Sequence, residues 1–318
     1  MRLFGVAMVR DEADVIEAFV RHNLGVLDGL AIGDHGSVDG TSDILAKLRA
    51  EGLPLRVTSI ADESFFQSRR VTELAREMFA SEKADFVFAL DADEFLKVPS
   101  RATLESALAA VPRGMHVLVH WLTYVPDDLE DSGGVFGPGH LWWRLEKERH
   151  AMHKLIVSRA LLDQPSASIA FGNHLVSEPE AKVPPRHARL PADVAAFAHC
   201  PVRSREQLCA KVITGYLRSQ APGATLADHW GDLYRELRDG AIFSPERMRE
   251  IALNYTLPPA RWLPGDEIEL VEDPVPIAVE QRYLAAAASD TLRRVMRYTE
   301  SVIERRNARP QARAVELL

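Results

Sequence analysis

The sequence predicts an α/β protein with a mostly parallel sheet, helices on both of its faces and a C-terminal helical extension. In the first half, short apolar runs alternate with amphipathic stretches of helical period, the pattern of strand–helix–strand units. The polar residues that stand out there, Asp11, Asp34, Asp39, Asp91 and Asp93, all lie just after predicted strands. That puts them at the carboxyl ends of strands, where open sheets of this kind bind ligands. After Pro201, strand signals give way to helical ones.

In order, Leu3–Val9 reads as a buried strand. Asp14, with Glu17 three residues on, forms a capping box for a helix whose apolar face is Ile16, Phe19, Val20 and Leu24. A short strand at 30–32 runs into the glycine- and aspartate-rich turn 34–40, and Thr41 or Ser42 caps a second helix that Gly52 ends. Leu55–Ser59 is a third strand, and Val71, Leu74, Ala75, Met78 and Phe79 mark a third helix. Phe86–Leu90 is a wholly apolar strand leading into Asp91-Ala92-Asp93-Glu94. The middle is β-rich, with strands at 116–124, 155–157 and 195–198 and a polar, glycine-rich loop at 127–139. Helices follow at 204–218, 227–238 and 245–254, the last with Ser244 as cap and Pro245 at its first position. A proline-rich connector at 258–276 precedes an alanine-rich helical stretch at 279–306. The expected organisation is therefore an α/β domain over 1–200 and a helical extension over 201–318.

Composition narrows the function classes. A hydrophobic share of 47% and a charged share of 26% are ordinary for a globular protein. The net charge of -8 argues against broad binding to a nucleic-acid backbone. Cys200 and Cys209 are too few for a disulfide framework and are expected as reduced thiols in a cytoplasmic protein. Arg10-Asp11-Glu12 cuts the first apolar run short, so it reads as a strand and not as a signal peptide. No run approaches the roughly 20 apolar residues of a membrane span.

Two patterns carry chemistry. On a strand, Asp91 and Asp93 would point to one side, and two carboxylates at that spacing repel unless a cation offsets them. Mg²⁺ or Mn²⁺, sharing its remaining positions with phosphate oxygens and water, would do so. In the turn Asp34-His35-Gly36-Ser37-Val38-Asp39-Gly40-Thr41, the glycines allow backbone conformations closed to other residues. Asp34 could accept hydrogen bonds from a base or ribose, and the helix that the turn opens favours anions at its N-terminus. The same residues would equally serve as a plain strand–turn–helix connection.

Taken together, these segments resemble family 2-like glycosyltransferases. Val9-Arg10-Asp11-Glu12 is similar to their strand-end "V-x-N/D-E", and residues 34–41 to their "D-x-G-S-x-D-G-T" turn. Asp91-Ala92-Asp93-Glu94-Phe95 is similar to the "D-A-D-E-F" of a related branch. Residues 198–208, with Lys211 and Gly215 beyond, are similar to the "N-H-Y…S-x-E-x-F…K-x-x-x-G" stretch that closes the domain. His35 departs from a usual Asn or Asp, which leaves the base recognised open, and Ala198 departs from the Asn before the histidine.

The resemblance covers about residues 1 to 218 and implies a GT-A fold. It also implies a nucleoside-diphosphate sugar donor, transfer to an acceptor hydroxyl, and usually inversion at the anomeric carbon. Asp11 or Glu12, Asp34 and Gly36 would face the nucleoside. Arg70, on the helix that also carries Gln67, would face the diphosphate together with Lys154. Asp91 and Asp93 would hold Mn²⁺ or Mg²⁺, with His199 and then His174 completing the metal shell. The base is expected among Asp127, Asp128, Glu146, Glu148 and Glu178. Trp121, Tyr124, Trp142 and Trp143 could stack on a sugar ring, but core packing is the expected role of each. The acceptor could be a carbohydrate, a lipid-linked group or a protein; a lipid would be met from the surface, at the inner face of the membrane. The C-terminal helices offer a surface for self-association. Two alternatives stand beside this reading: a nucleotide-sugar-binding protein without activity, and a metal-dependent nucleotidyltransferase. The latter normally shows a glycine-rich basic loop after the first strand, which is missing here. A dehalogenase-type phosphatase would carry Thr or Val where Glu94 stands.

Overall fold

Leu3–Val9 (β1) is buried along its whole length. Leu3, Ala7 and Val9 enter one apolar cluster, and Phe4, Val6 and Met8 enter another, because successive side chains of a strand leave opposite faces. Ile16–Leu24 (α1) and Thr41–Ala50 (α2) cover the first face with Ile16, Phe19, Ile44 and Leu45. Gln67–Ser81 (α3) covers the second with Val71, Leu74, Ala75, Met78 and Phe79. The computed structural model describes residues 1–60, 66–126, 136–150, 152–179, 183–219, 229–277, 281–283 and 291–308.

β1 pairs in parallel with Gly29–Asp34 (β2) on one side and Phe86–Leu90 (β4) on the other, and β2 pairs in parallel with Leu55–Ser59 (β3). The α/β class expected from the sequence is thus the class found. The order β3-β2-β1-β4 reverses direction between β1 and β4, so the crevice for a ligand lies beyond the carboxyl ends of those two strands. Asp11 and the Asp91–Asp93 segment both lie there.

Past β4 the sheet becomes mixed. Met115–Val125 (β6) and His153–Ser158 (β8) pair antiparallel, and β8 joins β4 in the same sense. Arg186–Arg189 (β11) and Ala196–His199 (β12) lie parallel to β6. Trp143–Leu145 (β7) pairs antiparallel with β6 and with Leu270–Glu272 (β13), and Ser168–Ile169 (β9) with Val176–Ser177 (β10) forms a separate hairpin.

Three local expectations are corrected. The strand of the acidic pair stops at Leu90; Glu94 N–H donates to Asp91 O at 3.1 Å, closing a turn, and Glu94–Lys97 (β5) returns antiparallel to β12. Strand alternation therefore does not orient Asp91 and Asp93. The capping box at Asp14 does not form: α1 begins after Val15 without a side-chain cap, since Asp14 binds Arg203 and Glu17 binds Arg21 and the backbone of Arg282 and Tyr283. At α2, Gly40 holds the cap position at φ 112°, and Thr41 and Ser42 instead donate to Asp39 and Asp34. Ser244 does cap its helix, accepting from Arg247 N–H at 3.2 Å.

Beyond Arg101–Ala109 (α4) and the sheet, Arg205–Ser219 (α5), His229–Arg238 (α6) and Pro245–Leu253 (α7) build a third apolar cluster. Leu208, Val212, Leu233, Phe243, Met248 and Ile251 pack there against Val125 and Leu145 of the sheet. Thr291–Ala308 (α8) lies on α5, Thr291 Oγ1 donating to Glu206 O at 2.9 Å. Among the described residues no helix is long and apolar enough to cross a membrane. Cys200 and Cys209 are free thiols, as expected.

Candidate functional site

The turn after β2 is built by its own aspartates. Asp34 Oδ1 accepts from Ser37 N–H (3.0 Å) and Ser37 Oγ (2.6 Å), and its other oxygen accepts from Ser42 Oγ. Gly36 takes the left-handed conformation, φ 69°, that lets the chain reverse so tightly. Asp39 accepts from Thr41 and from Ala13 N–H. Asp11, itself at φ 55°, locks the turn to β1: its Oδ1 accepts from Val38 N–H at 2.7 Å while its own N–H donates to Ser37 Oγ. The carboxylates of Asp11 and Asp34 are thus engaged in shaping the turn. Glu12 is placed differently from the expectation. It turns inward to Arg203 at 2.5 Å, because this fully buried guanidinium would otherwise lack counter-charges.

Arg203 reaches Asp14 with Nε at 2.7 Å, and its Nη1 lies 3.6 Å from Asp93 Oδ2. Burial pushes the Glu12 carboxyl up to about 7 against the pull of Arg203 and Lys211. The guanidinium loses hydration too, but Asp14 and Glu12 outweigh that and raise its pKa.

Asp91 and Asp93 share no hydrogen-bond or ion-pair partner among the described residues. Asp91 accepts from Lys154 Nζ (2.5 Å), Gln67 Nε2 (3.1 Å) and Asn173 Nδ2 (3.0 Å). Lys154 also lies 2.7 Å from Glu94 and donates to Gly172 O at 2.8 Å. Burial pushes Glu94 up to about 8. It also opposes the charge on Lys154, but Asp91 and Glu94 prevail and keep that ammonium charged. Asp93 meets Lys211 Nζ at 2.9 Å, and His199 Nε2 lies 3.7 Å away. Burial would raise the Asp93 carboxyl, yet Lys211 and Arg203 hold it below the ordinary carboxylate range. His199 is pushed down to about 3, mainly by burial, so its ring is neutral at physiological pH. Its Nδ1 is buried without a hydrogen-bond partner. The ring packs against Trp121 at 4.1 Å and Tyr255 at 5.4 Å between centroids.

His174 lies on the Asp91 side. Its Nδ1 donates to His153 O at 2.8 Å, which leaves the lone pair on Nε2. Arg70 is ion-paired with Glu73 on its own helix at 2.7 Å, and Gln67 is the α3 residue that reaches the acidic turn. Glu148 is bound by Thr123 N–H and Oγ, and Thr123 stands opposite His199 in the β6–β12 register. Burial raises its carboxyl. Glu178 binds Ser166 beside the β9–β10 hairpin, and Glu146 N–H donates to Glu269 O. Asp127 and Asp128 lie outside the described residues.

Sequence reading gave Arg203, Lys211, Asn173 and Tyr255 no role at this site, although Arg203 and Lys211 fall in the stretch that resembles the end of the glycosyltransferase domain. An arginine and a lysine eight residues apart around a helix start were the available signal, but the distance along the chain from Asp93 hid their target. Among the described residues no three His, Cys, Asp or Glu side chains converge on a metal position. The donors that do face each other, a carboxylate at Asp93 and a neutral imidazole at His199, are types that Mn²⁺ accepts, and the unpartnered His199 nitrogen fits a ring free to be re-hydrogen-bonded. Two protein donors leave the remaining positions to phosphate oxygens and water.

No protein-family model matches the chain, and no curated protein sequence matches it. Similar solved structures do exist. A mannosyltransferase from Pyrobaculum calidifontis, solved with GDP-Man and Mn²⁺, is 18% identical with a TM-score of 0.40, covering 79% of this chain and 68% of its own. Glucosyl-3-phosphoglycerate synthase from Mycobacterium tuberculosis, solved with Mn²⁺, UDP and glucosyl-3-phosphoglycerate, is 20% identical with a TM-score of 0.25, covering 38% of this chain and 44% of its own. Mannose-1-phosphate geranyltransferase from Thermus thermophilus is 14% identical with a TM-score of 0.28, covering 51% and 52%. At these scores the likeness says nothing of what this chain does.

Proposed function

We propose that the chain is a GT-A-type glycosyltransferase that moves a sugar from a nucleoside diphosphate to an acceptor hydroxyl, with inversion. One observation carries the reading: Asp93, held strongly acidic, faces a neutral His199 beyond the carboxyl end of β4, next to the strand-order reversal. In this reading Asp93 and His199 would hold Mn²⁺ or Mg²⁺, and Asp91 and His174 would be its further donors. When bound, the cation offsets charge on the departing diphosphate.

The remaining work falls to this chain's own groups. Lys154 offsets the charge of Asp91, and burial disfavours a second charge on Glu94, so that the diphosphate meets a site that is not wholly acidic. The nucleoside lies against the backbone of the turn that Asp11, Asp34 and Gly36 shape. Glu148 is the best-placed base among the described candidates. Thr123 fixes its carboxylate beside the His199 register position, and its raised pKa makes it a better proton acceptor.

A thermal-shift comparison of nucleoside diphosphates with and without Mn²⁺ tests this. The pair together should raise the melting temperature well beyond either alone, reaching about 2.7 kcal/mol of stabilisation at a hundredfold excess over Kd. Asp93→Ala should keep its circular-dichroism spectrum and lose the Mn²⁺-linked shift and all transfer. If Asp93→Ala retains that shift, the site assignment is wrong.

A further inference from the structure

Two lysines face the acidic turn, and they are held very differently. Lys154 is 1% exposed and has three oxygens around its ammonium, from Asp91, Glu94 and Gly172, at 2.5, 2.7 and 2.8 Å. Such an ammonium has no N–H left to offer a ligand. Lys211 is 27% exposed, and Asp93 is its single hydrogen-bond acceptor among the described residues. Two of its N–H groups therefore have no acceptor among the described residues, and the ammonium sits on the flexible four-carbon stem of a partly exposed helix residue. Asp93 does not depend on Lys211 alone, since Arg203 stands 3.6 Å from the same oxygen, Oδ2.

A divalent cation on that oxygen and an ammonium 2.9 Å from it would repel strongly in this buried place. One must yield, and Lys211 is the one with a way out. A diphosphate arriving with the cation supplies new acceptors close by. Resting on the glycosyltransferase reading, we infer that Lys211 is an exchangeable counter-cation. It neutralises Asp93 in the ligand-free chain, cedes that carboxylate to the divalent cation, and then binds an oxygen of the donor's diphosphate. Lys154 stays in place throughout.

This exchange has an unusual signature, because one substitution should move two affinities in opposite directions. The full chain is compared as wild type, Lys211→Met and Lys211→Arg. Mn²⁺ binding alone is followed by the free-ion paramagnetic resonance signal. UDP and GDP binding at saturating Mn²⁺ is followed by calorimetry. Lys211→Met should bind Mn²⁺ alone about tenfold more tightly, its competitor being gone. It should bind the nucleoside diphosphate about tenfold more weakly, for lack of a charged hydrogen bond. Lys211→Arg should keep diphosphate binding near the wild-type value.

If both affinities fall together in Lys211→Met, or neither moves, the exchange is refuted. A Lys211→Met chain that cannot fold even with Mn²⁺ present also refutes it, since Asp93 must tolerate the loss of this ammonium. A wild type without any Mn²⁺-linked nucleotide binding overturns the glycosyltransferase reading together with the exchange. Wild-type binding left unchanged in Lys211→Met overturns the exchange alone.

Discussion

Arg203 joins parts of the chain that are far apart in sequence. It is 2% exposed, and its guanidinium is ringed by Glu12 at 2.5 Å, Asp14 at 2.7 Å and Asp93 at 3.6 Å. A buried ion pair is weak evidence of net stabilisation, but removing one partner leaves the others desolvated and uncompensated. Arg203→Ala should therefore cost about 3–5 kcal/mol in denaturant-induced unfolding. Arg203→Lys should recover only part of this, because an ammonium cannot fork between Glu12 and Asp14 as the planar guanidinium does. A loss below about 1 kcal/mol for Arg203→Ala would mean that the network does not support the site floor. The same network explains an error of sequence reading. Asp14 and Glu17 have the spacing of a helix cap, but a buried arginine 189 residues away binds Asp14 more strongly than a neutral backbone N–H could.

At the scale of elements, β6 gathers histidines. His116 stands opposite His187 of β11, and His120 opposite His153 of β8. His116 is fully buried, accepts from Ser158 N–H through Nδ1, and lies 5.6 Å from the His187 ring. Burial, with His187 adding to it, pushes its pKa down to about 4. The sign follows directly. The unfolded chain binds a proton at His116 that the folded chain refuses, so this contribution is complete above the ordinary histidine value. It is lost as pH falls from about 6.5 towards 4, amounting to roughly 3 kcal/mol at the acid end. The buried His140 and His199 and the half-buried His22 and His174 are depressed as well and steepen the same slope. His116→Gln isolates one of them: its stability should fall less steeply over that window than the wild type's, and identical slopes would refute the assignment.

The legibility of elements follows their burial. β1, β2, β4, α1, α2 and α3 were readable because wholly apolar or strictly periodic segments leave few alternatives. β5, β13 and α4 were not. Glu94–Lys97 and Leu270–Glu272 are too short to show a period, and they are strands because β12 and β7 offer them edges. The aspartates at the strand ends could be located, but their partners could not, because Lys154, Arg203 and Lys211 arrive through tertiary contact.

At the scale of the molecule, the chain divides by architecture near residue 200, but the charges do not divide there. Arg203 and Lys211 belong to the helical part and pair with Glu12, Asp14 and Asp93 of the sheet part. Val125 and Leu145 bury themselves against α5, α6 and α7, and β13 closes the edge of β7. A fragment ending at residue 200 should therefore keep unpaired buried carboxylates and an uncovered apolar edge, and should show no cooperative unfolding transition. α8 is attached in another way. Thr291 donates to Glu206 O, Arg297 donates to Val38 O at 2.8 Å, and Tyr298 lies under Arg10 at 5.3 Å. No buried carboxylate depends on it among the described residues. A chain ending at residue 283 should fold cooperatively, with a loss of roughly 1–3 kcal/mol for two hydrogen bonds and one cation–π contact. Its amides around Val38 should exchange faster, because the Arg297 contact on the turn is gone. If the longer fragment fails to fold while the shorter one folds, this ranking of the two attachments is inverted, and the α8 contacts are the ones that hold the site's turn in place.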